Sequence, residues 1–312
     1  MTKQDLRIVF MGTPDFAVES LRALMEGGYN VVAVVTMPDK PAGRGHHMIT
    51  SAVKDYALSV GLPVLQPERL KAPEFLDELK ALNAQLFIVV AFRMLPEVVW
   101  SMPELGTFNL HGSLLPRYRG AAPINWAVIN GDKETGVTTF FLQHEIDTGD
   151  LILQERIPIG EDENVGSVHD RLMVVGADLV IRTVDLIIDS VNQGKPVPTT
   201  PQEKILMSPM SPMGSMSLQA PKIFKETCEI DLTKTALEVK NFVRGLSPYP
   251  AAWTNLQIGD KTFENTKIFE VQIVDRPTPL CLKAADGYLD IVSLQVPGKK
   301  RLNAKDFLNG LR

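Results

Sequence analysis

The stretch Asn109-Leu110-His111-Gly112-Ser113-Leu114-Leu115-Pro116-Arg117-Tyr118-Arg119-Gly120 decides how this chain is read. Thr107 to Leu110 has the character of a strand, and residues i and i+2 of a strand point to one face. Asn109 and His111 therefore stand side by side where the strand runs out. Gly112 frees the backbone to turn, and Pro116 and Gly120 keep the next segment irregular. An amide donor beside an imidazole, the side chain that exchanges protons near neutral pH, suits a reaction that builds negative charge on a carbonyl oxygen.

Working outward, the flanking sequence alternates apolar strands with amphipathic helices. Leu6 to Phe10 reads as a buried strand. Thr13 is placed to cap a helix whose first position suits Pro14, and Gly27-Gly28 ends that helix. Val31 to Thr36 is the next strand. Ser51 caps a helix to Val60, Pro73 to Leu82 is helical, and Leu86 to Ala91 is a fully buried strand. After the central stretch come a helix over 123–129, strands over 136–142 and 151–158, and a long helix over 165–192. Such alternation predicts an α/β fold, a Rossmann-like parallel sheet. Gly-x-Gly-x-x-Gly is absent from the first turn, which argues against a dinucleotide ligand.

The second half changes style. Residues 194–222 hold six prolines and four methionines, a density of proline that predicts an irregular linker. Beyond a helix over 233–244, short strands at 254–258, 267–274, 280–283 and 288–295 are separated by the turn signals Gly259-Asp260 and Asp286-Gly287. A small OB-like β-barrel is expected. The expected organisation is thus a catalytic domain over 1–193, a linker over 194–222 and a β-barrel domain over 223–312.

Composition sets the frame. Of 312 residues, 45% are hydrophobic and 22% charged, which is ordinary for a globular protein. Two cysteines are too few for a disulfide framework. No apolar run is long enough to span a membrane, and the N-terminus enters a strand without a signal peptide, so a cytoplasmic protein is expected. Residues 1–206 carry 18 Lys+Arg against 26 Asp+Glu, and residues 207–312 carry 14 against 11. A mildly basic second half permits contact with nucleic acid. The five histidines form no spaced ligand set, so no metal is expected.

Asn-x-His followed by Ser-Leu-Leu-Pro-x-Tyr-Arg-Gly-Ala-Ala-Pro-Ile, with Asp147-Thr148-Gly149-Asp150 downstream, resembles the signature of the folate-dependent formyltransferases. Within that group the likeness is to the branch acting on charged initiator tRNA, and it covers nearly the whole chain. The resemblance implies that Asn109, His111 and Asp147 are catalytic, with Asn109 donating to the formyl oxygen, His111 donating or shuttling protons, and Asp147 orienting the imidazole. It implies 10-formyltetrahydrofolate as formyl donor, held by the turn Ser113, Leu114, Leu115 and Pro116, with Phe92-Arg93 replacing the Tyr-Gly usual beside the pterin.

The same resemblance makes initiator methionyl-tRNA the partner. It would be contacted by Arg44 in the loop Pro41-Ala42-Gly43-Arg44-Gly45 and by the basic cluster Lys299, Lys300 and Arg301. A monomer is expected. Other readings are a formyltransferase acting on an amino-sugar nucleotide, a formate-releasing hydrolase, or a folate- or RNA-binding module without activity. A lone His-Asp pair is often structural, Arg117 and Arg119 are solvated or hold anionic groups, and His144 is read as ordinary.

Overall fold

The computed structural model describes residues 1–42, 47–207 and 218–311. They form two compact units. The first comprises Met1–Arg119, Gly136–Arg156 and Asp170–Leu218, and the second comprises Gly120–Thr135, Ile157–His169 and Gln219–Arg312. The second therefore takes in 120–135 and 157–169 besides the C-terminal segment.

A seven-stranded sheet carries the first unit, in the order Leu151–Pro158, Glu134–Phe141, Thr107–His111, Leu86–Val90, Arg7–Gly12, Asn30–Val35, Val64–Leu65. The pairings from Thr107–His111 to Val64–Leu65 are parallel. Glu134–Phe141 joins Thr107–His111 antiparallel, with Phe140 opposite Asn109 and Thr138 opposite His111. The chain leaves Arg7–Gly12 towards one edge and returns to its other side with Leu86–Val90, so the strand order reverses there. In an open α/β sheet that reversal makes a crevice outside the carboxyl ends of the strands, where ligands bind. Thr13, residues 91–94 and residues 112–119 follow the three strands that end at it.

Burial on both faces explains the apolar strands. Every residue of Leu86–Val90 is buried, as parallel strands between helical layers require. On one face Val9, Met11, Val35, Phe87 and Val89 meet Phe75 and Leu79 of the helix Pro73–Ala81, each buried side chain contributing about 1.5–3 kcal/mol. Asn109 lies in register with Val89 and so shares this face at the sheet's carboxyl end. Leu110 points the other way, against Gly176 of the helix Val165–Asn192, where a Cβ would come within 2.8 Å of its Cδ2.

Three expectations are corrected. The helix Asp15–Glu26 has Pro14, not Thr13, at its cap position, because Pro14 takes the extended backbone of a cap at φ of −83° and ψ of 176°, with no side-chain cap bond, and Thr13 Oγ1 is buried without a partner. Ser51 does cap Ala52–Ser59, accepting from Lys54 N at 3.1 Å. The loop 37–50 contains a hairpin, Lys40–Ala42 paired with His47–Ile49. The proline-rich segment holds the helix Gln202–Leu206 and the short strand Gln219–Ala220, because its prolines stand before and after those elements rather than inside them.

In the second unit the strands Ala252–Ile258, Lys261–Val274, Tyr288–Gln295 and Cys281–Lys283 follow one another, and Leu302–Asn303 pairs with Tyr288–Gln295. Among the described residues no pairing joins the two ends of this path into the small OB-like β-barrel that the sequence suggests. Val239, Val243 and Leu246 of the helix Ala236–Leu246 are buried with Ile268, Leu289, Ile291 and Leu294. A Thr235–Glu238 capping box starts that helix, and near its end the buried Arg244 donates to the carbonyls of Gly160 and Glu163 at 3.1 and 2.9 Å.

A Cβ on Gly149 would lie 1.7 Å from the carbonyl oxygen of Phe141. Gly149→Ala should therefore lose stability on the order of 3 kcal/mol in urea unfolding. A midpoint equal to the parent's would contradict the contact.

Candidate active site

His111 ends its strand with the ring almost buried, 6% exposed. Its Nε2 lies 2.8 Å from the carbonyl oxygen of Tyr118. A carbonyl can only accept, so Nε2 carries hydrogen and donates. The other nitrogen, Nδ1, faces Asp147 Oδ2 at 3.8 Å, and the carboxylate is itself only 13% exposed. That separation exceeds a hydrogen bond and allows an ion pair. Phe140 meets the imidazole edge-on, with centroids 6.4 Å apart.

Both partners of the imidazole sit on unusual backbone. Tyr118 has φ of 61° and Asp147 φ of 55°, the left-handed region that L-residues adopt at a cost of order 1 kcal/mol or more. Local bonds hold them there. Tyr118 N donates to Leu218 O at 2.6 Å, and Gln202 Nε2 donates to the carbonyls of Asp147 and Gly149, both at 2.8 Å.

The turn between His111 and Tyr118 is built around Thr138. Its Oγ1 donates to Ser113 O at 2.6 Å and accepts from Leu115 N at 3.2 Å and Gln154 Nε2 at 2.9 Å. Gln154 also donates to Leu115 O at 2.7 Å, and Ser113 Oγ to Arg117 O at 2.6 Å. Of the four residues expected to bind folate, Ser113, Leu115 and Pro116 are buried and Leu114 is half-buried. Leu115 packs with Phe140 and Leu151. A ligand at this turn therefore meets chiefly its backbone.

Three polar groups near the carboxyl ends of the strands have no partner among the described residues. The side chain of Asn109 is half-buried and makes no hydrogen bond. Thr13 Oγ1 and Arg93 Nε are buried and unpaired, and they belong to the loops after the two strands that flank the switch point. Arg93 spends its other nitrogens on Glu68 O at 2.9 Å and on Pro67 O, and burial lowers the pKa of its guanidinium. Each such orphan costs about 1–3 kcal/mol until a partner meets it.

The remaining predicted residues are placed as follows. Arg44 lies outside the described residues. The hairpin that leads to it rests on Asp39, which accepts from Lys54 Nζ at 2.5 Å and from Gln66 Nε2 at 2.7 Å. Lys299 and Lys300 are exposed in the second unit. Arg301 lies 4.3 Å over the ring of Phe269 and donates to Ser293 Oγ at 2.7 Å, so part of its side chain serves the sheet. His144 pairs with Glu97 at 3.0 Å rather than with Asp147. Arg119 is bound to Gln202 rather than solvated. Sequence reasoning passed over Thr138, Gln154 and Gln202. Only Thr138, a hydroxyl inside the apolar strand Gly-Val-Thr-Thr-Phe-Phe, left a signal, since a buried hydroxyl needs a partner. Among the described residues no group of three or more His, Cys, Asp or Glu could hold a metal ion, and no helix is long and apolar enough to cross a membrane.

An imidazole facing a carboxylate, with an unpartnered amide two residues earlier on the same strand, is an arrangement that can serve acyl-type transfer. The family model described as formyl transferase matches residues 6–184, and that of the formyl transferase C-terminal domain matches residues 222–312. This chain belongs to the formyl transferase family. A methionyl-tRNA formyltransferase of Parabacteroides distasonis is 58% identical over 326 residues, covering 100% of this chain and 98% of that protein. Among solved structures, WlaRD, a sugar 3N-formyl transferase in the presence of dTDP and 5-N-formyl-THF, matches with a TM-score of 0.64 at 19% identity, over 95% of this chain and 99% of that one. HypX from Aquifex aeolicus, in complex with tetrahydrofolic acid, matches with a TM-score of 0.61 at 19% identity, over 97% of this chain and 47% of that one. These two likenesses concern the fold.

Two outcomes follow from the geometry. Thr138→Val strands the Leu115 N–H and the Ser113 carbonyl, and should cost about 2 kcal/mol in denaturant unfolding; no loss would mean that Thr138 is not the hub of the turn. The Lys54 ammonium, with Gln66, holds the Asp39 carboxyl below its ordinary pKa of 3.8. A depressed folded-state pKa stabilises above the unfolded value and is lost as pH falls through the folded one. Asp39→Asn should therefore lower the melting temperature at neutral pH and converge on the parent in acid. A gap that stays constant with pH would contradict this.

Proposed function

We propose that this protein transfers the formyl group of 10-formyltetrahydrofolate to the α-amine of methionyl-initiator tRNA, giving the formylmethionyl-tRNA used to start translation in the cytoplasm. The observation that carries the reading is the His111–Asp147 pair standing with the unpartnered amide of Asn109 at the carboxyl end of the sheet. The names of relatives 50–58% identical over essentially the whole chain support the choice of acceptor.

In this reaction the amine nitrogen attacks the formyl carbon, a new C–N bond forms, and the bond to the folate nitrogen breaks. Negative charge gathers on the formyl oxygen between these events. Asn109 donates its amide N–H there, an interaction whose loss typically costs about 3 kcal/mol of barrier. Nε2 of His111 is committed to Tyr118, so the imidazole works through Nδ1, shared with Asp147. That pair takes the proton which the attacking amine sheds, and the departing folate nitrogen needs a proton in return. Thr13, Arg93 and the backbone of residues 113–116 would receive the folate ring. Residues 1–193 then serve as the catalytic domain, 194–222 as the linker and 223–312 as the tRNA-contacting domain, with Arg44, Lys299, Lys300 and Arg301 on the phosphates and bases.

The test is formyl transfer to charged initiator tRNA beside an amino-sugar nucleotide as competing acceptor. Transfer to the tRNA alone is expected. Asn109→Ala and Asp147→Asn should each lower kcat about 100-fold or more with little change in melting temperature. Transfer to the sugar alone, or no transfer to either, would reject the reading.

A further inference from the structure

Gln202 lies outside the chemistry derived above and in a segment that the sequence presents as a linker, yet it is only 1% exposed. A buried primary amide has two N–H donors and two acceptor lone pairs to satisfy, and here all four are used. Oε1 accepts from Arg119 Nε at 3.1 Å and Nη2 at 2.6 Å. Nε2 donates to the carbonyls of Asp147 and Gly149, each at 2.8 Å. The amide can face only one way: exchanging its N and O would set N–H against a guanidinium and an oxygen against two carbonyl oxygens.

The support under Gln202 is firm on both sides. Thr200 and Leu151 exchange two backbone hydrogen bonds of 2.9 Å. Ile205, one turn on, packs with Leu115, Phe140 and Leu151. The loop it grips also has bonds of its own. Thr148 Oγ1 donates to Glu145 O at 3.0 Å, and Phe141 N donates to Asp150 O at 3.1 Å. Gln202 holds the carbonyl of Asp147 itself, on the residue that carries the carboxylate and whose backbone sits at φ of 55°.

We propose that Gln202 is the positioning residue for Asp147, its amide fixing the loop so that the carboxylate stands opposite His111 Nδ1, with Arg119 fixing the amide. This rests on the reading of Asp147 as catalytic. The geometry needs an amide in particular. A glutamate at this position would still pair with Arg119, but it would turn a carboxylate oxygen towards two carbonyls and could donate to neither.

Gln202→Glu in the full-length protein is the test, with steady-state kinetics and amide hydrogen exchange read together. A misplacement of about 1 Å typically costs about 100-fold in rate. We expect kcat to fall by that order, KM for the formyl donor to stay within roughly twofold, and exchange to rise at residues 145–150 but not in the sheet. Wild-type kcat, unchanged exchange in that loop, or exchange rising throughout the unit would each overturn the proposal. Should this variant not fold, Arg119→Lys keeps the charge but loses the fork on Oε1, and the same split between kcat and KM decides the matter. A parent protein that transfers no formyl group would reject the functional reading, while the exchange comparison would still judge the role of Gln202.

Discussion

The hydrogen bond from His111 Nε2 to the carbonyl of Tyr118 is the constraint on which the site depends. It assigns the ring proton, because its partner can only accept, and so leaves Nδ1 as the nitrogen open to chemistry. It also requires the chain to curl back within seven residues of the strand end and bring a carbonyl under the ring. Gly112, the buried Ser113 and Leu115, and the left-handed Tyr118 are how the backbone meets that demand. Thr138 and Gln154, from the two neighbouring strands, supply the bonds that keep the turn closed.

Energy is placed unevenly as a result. Left-handed backbone at Tyr118 and Asp147 opposes folding, and buried hydrogen bonds, each contributing about 1 kcal/mol net, offset it. The paired buried atoms define the inner wall of the site: Thr138 Oγ1, Gln154 Nε2, and both ends of the Gln202 amide. Of the unpaired ones, those on Asn109, Thr13 and Arg93 lie near the carboxyl ends of the strands, while Ser20 Oγ lies in the helix Asp15–Glu26. The satisfied groups make the frame of the site. Arg93 fits this division within one side chain, with two nitrogens bound to carbonyls and Nε left over.

The strands and long helices of the first unit are legible in the sequence because burial writes a period into them. Leu86 to Val90 is apolar throughout since both faces are covered, and the helix over 165–192 carries its repeat for seven turns. Asn109 and His111 are legible as neighbours because strand alternation is strict. What resists reading is structure set by single partners far along the chain. Thr13 has the residue type of a cap, but its backbone geometry gives that position to Pro14. Gln202 sits among prolines, and nothing local says that Asp147, 55 residues earlier, supplies its acceptor. Arg119 looks like a surface arginine until that amide is in place. Short hairpins such as Lys40–Ala42 with His47–Ile49 are too brief for any period to show.

The most direct measurement is the 15N chemical shift of both ring nitrogens of the neutral His111 imidazole in the folded protein. Nε2 should carry the proton of the neutral ring and Nδ1 should be bare. A neutral imidazole protonated on Nδ1 would contradict the account, since the Tyr118 bond could not then exist and Nδ1 could not take the proton that the amine sheds.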